Sequence, residues 1–200
     1  MAAQYHPSCV SARRLSQAIA EGDGISVIVE VRDPAGARRA DEQGAEGIVV
    51  RSAASISERP ALPFLAYGPS VVEAADIAAD AVVIAAETES DELHELARHA
   101  AALGLECVFE VRDEDDLGRA LEHLDPEILL LSAEGAGNGQ HALERLLELL
   151  PDVPAGKLAI ADLGHASREE VEQLESAGFD AVLVDPGDVE LLVGDAVPDV

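Results

Sequence analysis

The segments IVEVRD (28–33) and VFEVRD (108–113) carry the same tetrapeptide, EVRD, 80 residues apart. Each copy ends a short apolar run and leads into a stretch with helical spacing. Glu and Arg two apart on a strand point to the same side. Glu30 with Arg32, and Glu110 with Arg112, would therefore each set an acid and a base on one face near the carboxyl end of a strand.

Working outward, apolar runs of the same kind recur along the whole chain: SVIVEV (26–31), GIVVRS (47–52), PFLAY (63–67), DAVVIAA (80–86), ECVFEVR (106–112), EILLLSA (127–133), LAIADLG (158–164) and DAVLVDP (180–186). They are β-branched or Leu-rich and lack strict alternation, as strands buried on both faces do. Between them lie amphipathic stretches such as DPAGARRADEQ, SVVEAADIAA, DEDDLGRALEHL and GQHALERLLELL. Ser90–Gly104 and Ser167–Gly178 each begin with a capping serine and end at a glycine. The second unit alone lacks a convincing helix, because ISERPAL (56–62) is short and contains Pro60.

Eight β-α units predict an α/β fold, a compact (β/α)8 TIM barrel with a reduced second unit, in a chain shorter than the ~250 residues typical of that fold. The competing architecture, a doubly wound open sheet, usually carries a Gly-rich first turn, and EVRDPAG is not one. Residues 8–21 read as an extra helix closing the barrel floor. The expected organisation is one domain over 1–200, with the barrel spanning 26–193. The carboxyl ends of strands 1 and 5 would then face each other across the mouth, where barrel enzymes hold their sites.

Composition narrows the partners. With 13 Lys+Arg against 40 Asp+Glu the net charge is −27, and aromatic residues are 2% of the chain. Phosphate backbones are repelled and bases find little to stack on, so nucleic acid is not an expected partner. No apolar run approaches the ~20 residues of a membrane span, so no membrane association is expected. The opening MAAQYHPSCVSARRLSQAIAEGDG lacks a signal-length apolar stretch, and a cytoplasmic location follows as the expectation. Lys157 is the only lysine. A surface this acidic and this poor in lysine suits a salt-accumulating microbe, where the Debye length falls to ~3 Å at 1 M salt.

Glu30, Glu110, Asp162 and Asp185 would converge on the mouth. Three readings are open: acid–base work by carboxylates in unlike environments, a hard-cation site, or a polar plug neutralised by Arg32, Arg51 and Arg112. No metal-ligand pattern stands out, since His94 and His99 miss the i, i+4 spacing, and both are expected to face solvent. His165 follows Gly164 at a strand–helix turn. Ser132 has no nucleophile-elbow motif around it. SAEGAGNGQ (132–140) could bring amides to an anion, but its glycine spacing is not the dinucleotide fingerprint; no cofactor is expected. Cys107 reads as a small core residue, and the charge runs DEDD (113–116) and REE (168–170) as solvated helix starts.

The opening SARRLSQAIAEGDGISVIVEVRDP, the unit ALGLECVFEVRDEDDLGRAL and the closing LAIADLGHASREEVEQLESAGFDAVLVDP together resemble the indole-3-glycerol phosphate synthase family over most of 11–187. The resemblance implies a phosphosugar-processing barrel and a lyase reaction of tryptophan synthesis, in which a phosphorylated anthranilate is decarboxylated and closed to an indole. It assigns Glu30 and Glu110 to the family's first- and fifth-strand glutamates, and Asp162 to its seventh-strand glutamate. Arg32 stands at a lysine that pairs with the substrate carboxylate, and Tyr67 at the general-acid lysine. Ser132-Ala133-Glu134 stands at an Asn-Asn-Arg. Gly164 keeps its place in the first phosphate loop; in the second, Asp185 replaces a glycine and Pro186 follows, which leaves Gly187 to hold an anion. The resemblance therefore implies a small-molecule carbon–carbon lyase for an anionic substrate. Glu30, Glu110, Asp162 and Tyr67 are its candidate catalytic groups; Arg32, Arg51, Arg112, Ser132, Gly164 and Gly187 are its candidate binding groups. The alternative is a barrel that binds or scaffolds without catalysis.

Overall fold

A computed structural model describes residues 14–22, 24–56, 58–133, 139–187, 189 and 192. Eight parallel strands, β1 (Ser26–Glu30), β2 (Gly47–Val50), β3 (Phe64–Ala66), β4 (Ala81–Ala85), β5 (Glu106–Val111), β6 (Ile128–Ser132), β7 (Leu158–Gly164) and β8 (Ala181–Val184), pair in chain order. The ring closes where β8 pairs with β1, from Ser26 opposite Ala181 to Val29 opposite Val184. The fold is thus a (β/α)8 barrel, and an open sheet is ruled out by the absence of edges. Helices α1 (Leu15–Ala20), α2 (Pro34–Glu42), α3 (Val71–Asp76), α4 (Ser90–Ala102), α5 (Glu114–His123), α6 (Gly139–Leu149) and α7 (Arg168–Ala177) complete the described elements. Among the described residues of the connection after β2 the helical element is a 3-10 turn over Ala53–Ser55, so the second unit is reduced as its sequence implies.

Strand alternation sorts the core into two layers. Ile28, Val49, Leu65, Val108, Ile128, Leu130, Ile160 and Leu183 fill the barrel interior. The residues that alternate with them, among them Val27, Val29, Phe64, Phe109, Leu129 and Val182, pack outward under the helices. Leu15 and Ile19 of α1 join the interior cluster, so α1 closes the floor. Residues 8–13 of the expected floor helix lie outside the described residues.

Acidic residues just before strands pin the floor. Glu46 accepts the Val27 N–H (2.9 Å), Asp80 the Phe64 N–H (3.0 Å) and Asp180 the Ala159 N–H (2.8 Å). In each case the residue preceding one strand satisfies an otherwise orphaned amide of the strand before it. Glu106 does a related job, accepting from both the amide and the hydroxyl of Ser16 in α1.

Helix ends follow the capping signals, with one shift. Ser167 forms a capping box with Glu170, and Gly178 closes α7 in the left-handed region at φ 106°. Glu89, not Ser90, is the N-cap of α4, and it makes no side-chain cap bond. Cys107 is half-buried rather than a full core residue. It lies on the outward side of β5, with Sγ 3.7 Å from the Ala97 carbonyl, and burial followed by the charge of Glu106 pushes its thiol pKa up. No helix among the described residues is long and apolar enough to cross a membrane.

Leu15 is fully buried beneath the barrel. Leu15→Ala should lower unfolding free energy by about 3 kcal/mol, the usual cost of a buried Leu→Ala cavity, when measured by denaturant titration in molar KCl. A loss below about 1 kcal/mol would show that α1 is not part of the core.

Candidate active site

Seven side chains at the mouth each sit two positions beyond an interior core residue. Glu30 follows Ile28, Arg51 follows Val49, Tyr67 follows Leu65, Glu110 follows Val108, Ser132 follows Leu130, Asp162 follows Ile160 and Asp185 follows Leu183. The inward parity of the core therefore carries over into the mouth. Glu30 and Glu110, on β1 and β5, are 7% and 3% exposed.

Arg51 links the two sides. Its Nε donates to Glu30 Oε2 at 2.8 Å, and its Nη2 lies 3.7 Å from Asp162 Oδ2. The same guanidinium lies over the Tyr67 ring, 4.2 Å from the centroid, within cation–π range. The Tyr67 hydroxyl donates to Glu110 Oε1 at 2.8 Å, and Arg112 Nε donates to that oxygen at 3.1 Å. Arg32 Nε reaches Glu30 Oε1 at 3.3 Å. The result is a continuous chain of contacts from Arg32 through Glu30, Arg51, Tyr67 and Glu110 to Arg112.

Burial alone would lower the Arg51 pKa, but the bond to Glu30 and the charge of Asp162 outweigh it and hold the value above the ordinary range. Burial, then the bond to Glu110, pushes the Tyr67 phenol well above its ordinary value. Tyr67 is therefore held in an environment that makes it a weaker acid than an ordinary tyrosine.

Arg112 proves to be part of the wall. Besides Glu110 it reaches Glu87 Oε2 at 2.9 Å, its amide donates to Asp116 Oδ2 at 3.1 Å, and its carbonyl accepts from Arg145 Nη2 at 3.1 Å. Asp116 is 4% exposed and also pairs with Arg119, whose Nε donates to the Ala86 carbonyl. The DEDD run is thus not simply a solvated face: its last residue ties the β5–α5 loop to the β4–α4 loop. Asp113, the end of the second EVRD, is the N-cap of α5 and accepts the Asp116 amide. Asp33, the end of the first, caps α2 by accepting the Gly36 amide at 2.6 Å. Glu87, Asp116 and Arg119 were not legible as site residues; the only available signal was the D-x-x-D spacing of 113 and 116.

The β7–β8 corner departs from an anion cradle. Gly164 adopts φ 66°. The Asp185 amide donates to the Gly164 carbonyl at 2.9 Å, and Asp185 Oδ2 lies 3.5 Å from Nε2 of the exposed His165. Ser132 is buried at the end of β6, opposite Asp162 in the register. Gly187 lines a cavity of about 320 Å³ together with Glu30, Arg32, Asp33 and Arg39. A larger groove of about 570 Å³ lies between α5 and α6, outside the mouth. His94 and His99 are exposed as expected. Residues 134–138 of the glycine-rich loop lie outside the described residues. Among the described residues no group of three or more His, Cys, Asp or Glu side chains is placed to hold a metal ion.

The family described as Indole-3-glycerol phosphate synthase matches residues 50–188. The indole-3-glycerol phosphate synthase of Variovorax paradoxus (strain S110) is 31% identical over 175 residues, covering 85% of this chain and 64% of that protein. The chain thus spans just under two thirds of that relative's length. Among solved structures, the N-acetylmannosamine-6-phosphate 2-epimerase from Clostridium perfringens superposes with a TM-score of 0.68, over 96% of this chain and 95% of that one, at 16% identity. That likeness concerns the fold alone.

The raised Tyr67 pKa has a testable sign. The neutral phenol is favoured in the folded state, so its stabilising contribution is present below the ordinary tyrosine pKa of about 10 and is lost as pH rises through the higher folded value. Alkaline absorbance titration of the protein against Tyr67→Phe should show Tyr67 ionising above the ordinary range. Glu110→Gln should bring it back down. Ionisation of Tyr67 in the ordinary range would contradict the Tyr67–Glu110 geometry.

Proposed function

The chain belongs to the indole-3-glycerol phosphate synthase family, and from that premise we propose that its mouth is a carbon–carbon lyase centre for a small anionic substrate. The observation that carries this reading is the contact chain running from Arg32 to Arg112, which joins an exposed guanidinium to a buried carboxylate–phenol pair. Arg32 is 74% exposed and, among the described residues, meets Glu30 through Nε, so its terminal N–H donors are open to solvent and suit a substrate carboxylate. Glu30 and Arg51 orient that clamp. Glu110 is the group that accepts or returns a proton, and Tyr67, which keeps its own proton through the neutral range, fixes it by donating a hydrogen bond.

The chemistry implied is loss of a carboxylate, with the carbon left behind taking up a proton delivered through Glu110. Lysine-assisted ring closure does not suit this mouth. Lys157, the sole lysine, lies in the turn before β7 at the opposite end of the barrel, paired with Asp125.

A second reading, a binding barrel without catalysis, is favoured by one observation: both buried glutamates already have guanidinium partners within the protein. The two readings separate on turnover, because both allow a carboxylate to bind. In molar KCl, anthranilate and simple aliphatic carboxylates should raise the melting temperature of the wild type, as any ligand of the folded state does. Arg32→Met and Glu110→Gln should each abolish the rise. Where CO2 release is detected, Glu110→Gln should slow it by roughly 10²–10⁴-fold, the range for a general acid or base. No CO2 release from any carboxylate that stabilises the fold, or release indifferent to Glu110→Gln, would leave the binding-barrel reading.

A further inference from the structure

Barrels of this architecture frequently bind phosphate with the loops after strands 7 and 8, using backbone N–H groups. In this chain the first two residues after β8 cannot contribute. The Asp185 amide is engaged with the Gly164 carbonyl at 2.9 Å, and Pro186 has no N–H. The Asp185 side chain turns back over the β7 end. A Cβ built on Gly164 would lie 3.8 Å from Asp185 Oδ2, so the carboxylate rests against the open face of that glycine. The same oxygen is 3.5 Å from His165 Nε2. Asp162, from the neighbouring strand position, adds a second negative charge on the inner side and shares Arg51 with Glu30.

We propose that Asp185 is an internal occupant of the anion position at the β7–β8 corner, and that the substrate of this barrel carries no phosphate group there. A carboxylate belonging to the protein sits over Gly164, where a phosphate would otherwise approach. An incoming dianion would have to displace it and would then face Asp162. The corner is then closed to a second anionic group on a substrate whose carboxylate lies at Arg32. This inference rests on the reading of the mouth as the ligand site and narrows the class of ligand.

The test is a titration with inorganic phosphate at fixed KCl, followed through backbone amide chemical shifts of Gly164, His165 and Gly187. It is run on the wild type, Asp185→Asn and Asp185→Gly; the amide spectrum itself reports whether each variant is folded, and Asp185→Asn preserves side-chain shape if glycine disturbs the loop. The wild type should show no saturable shift, while both variants should bind phosphate at least about tenfold more tightly, a difference of about 1.4 kcal/mol. Saturable binding to the wild type at these amides, or failure of both variants to gain binding, would overturn the proposal. Neither result touches Glu110 or Arg32, so the lyase reading stands or falls separately on CO2 release.

Discussion

Strand parity is the constraint from which the rest of this molecule follows. A closed ring of parallel strands leaves no choice about which residues look inward, because the side-chain period is two. Once Ile28, Val49, Leu65, Val108, Ile160 and Leu183 are committed to the interior, the residues two further on are committed to the mouth. Six strands thereby deliver Glu30, Arg51, Tyr67, Glu110, Asp162 and Asp185 to one small region. A shift of one residue in β1, β5 or β7 would exchange a mouth carboxylate for an apolar neighbour and turn the charge into the apolar layer beneath the helices.

Placing carboxylates there carries an electrostatic cost that the chain meets with arginine. A buried carboxylate is tolerated when it is paired and hydrogen-bonded. Glu30 has Arg51 and Arg32; Glu110 has Tyr67 and Arg112. Arginine suits the task because its planar fork can serve two acceptors and still stack on a ring, as Arg51 does between Glu30, Asp162 and Tyr67. The loops are held by the same chemistry: Asp116 and Arg119 join the β4 and β5 exits, so the position of Arg112 is set from behind as well as from the mouth.

The barrel was legible because eight apolar runs at regular spacing leave few architectures open, and the reduced second unit was legible from Pro60 and the brevity of its connection. The inward direction of Glu30 and Glu110 was legible for the same reason, since parity needs only the strand assignment. What periodicity does not carry is which charges meet. Arg112 reads both as a clamp for substrate and as a counter-ion in a polar plug, and the sequence does not show that Glu110 and Glu87 are the groups it meets. Asp116 reads as part of a solvated acidic run, yet it is buried beneath the loop it fastens. Glu87 lies 25 residues from Arg112, and Asp116 on the hidden side of a helix turn, and no local rule ranks such partners. The carboxylates before β2, β4 and β8 also escaped notice, because they serve the amides of a neighbouring strand rather than their own.

The EVRD repeat shows how much a strand exit can hold. Its glutamate enters the mouth, its arginine turns back on that glutamate, and its aspartate starts the next helix by capping it. Four consecutive residues thus supply an acid, its counter-ion and a helix initiator, with a valine anchoring them in the outer layer. Such a cassette is portable: grafted behind an inward-facing aliphatic residue on another strand of a designed barrel, it would install a ready-neutralised acid without any change to the remaining loops.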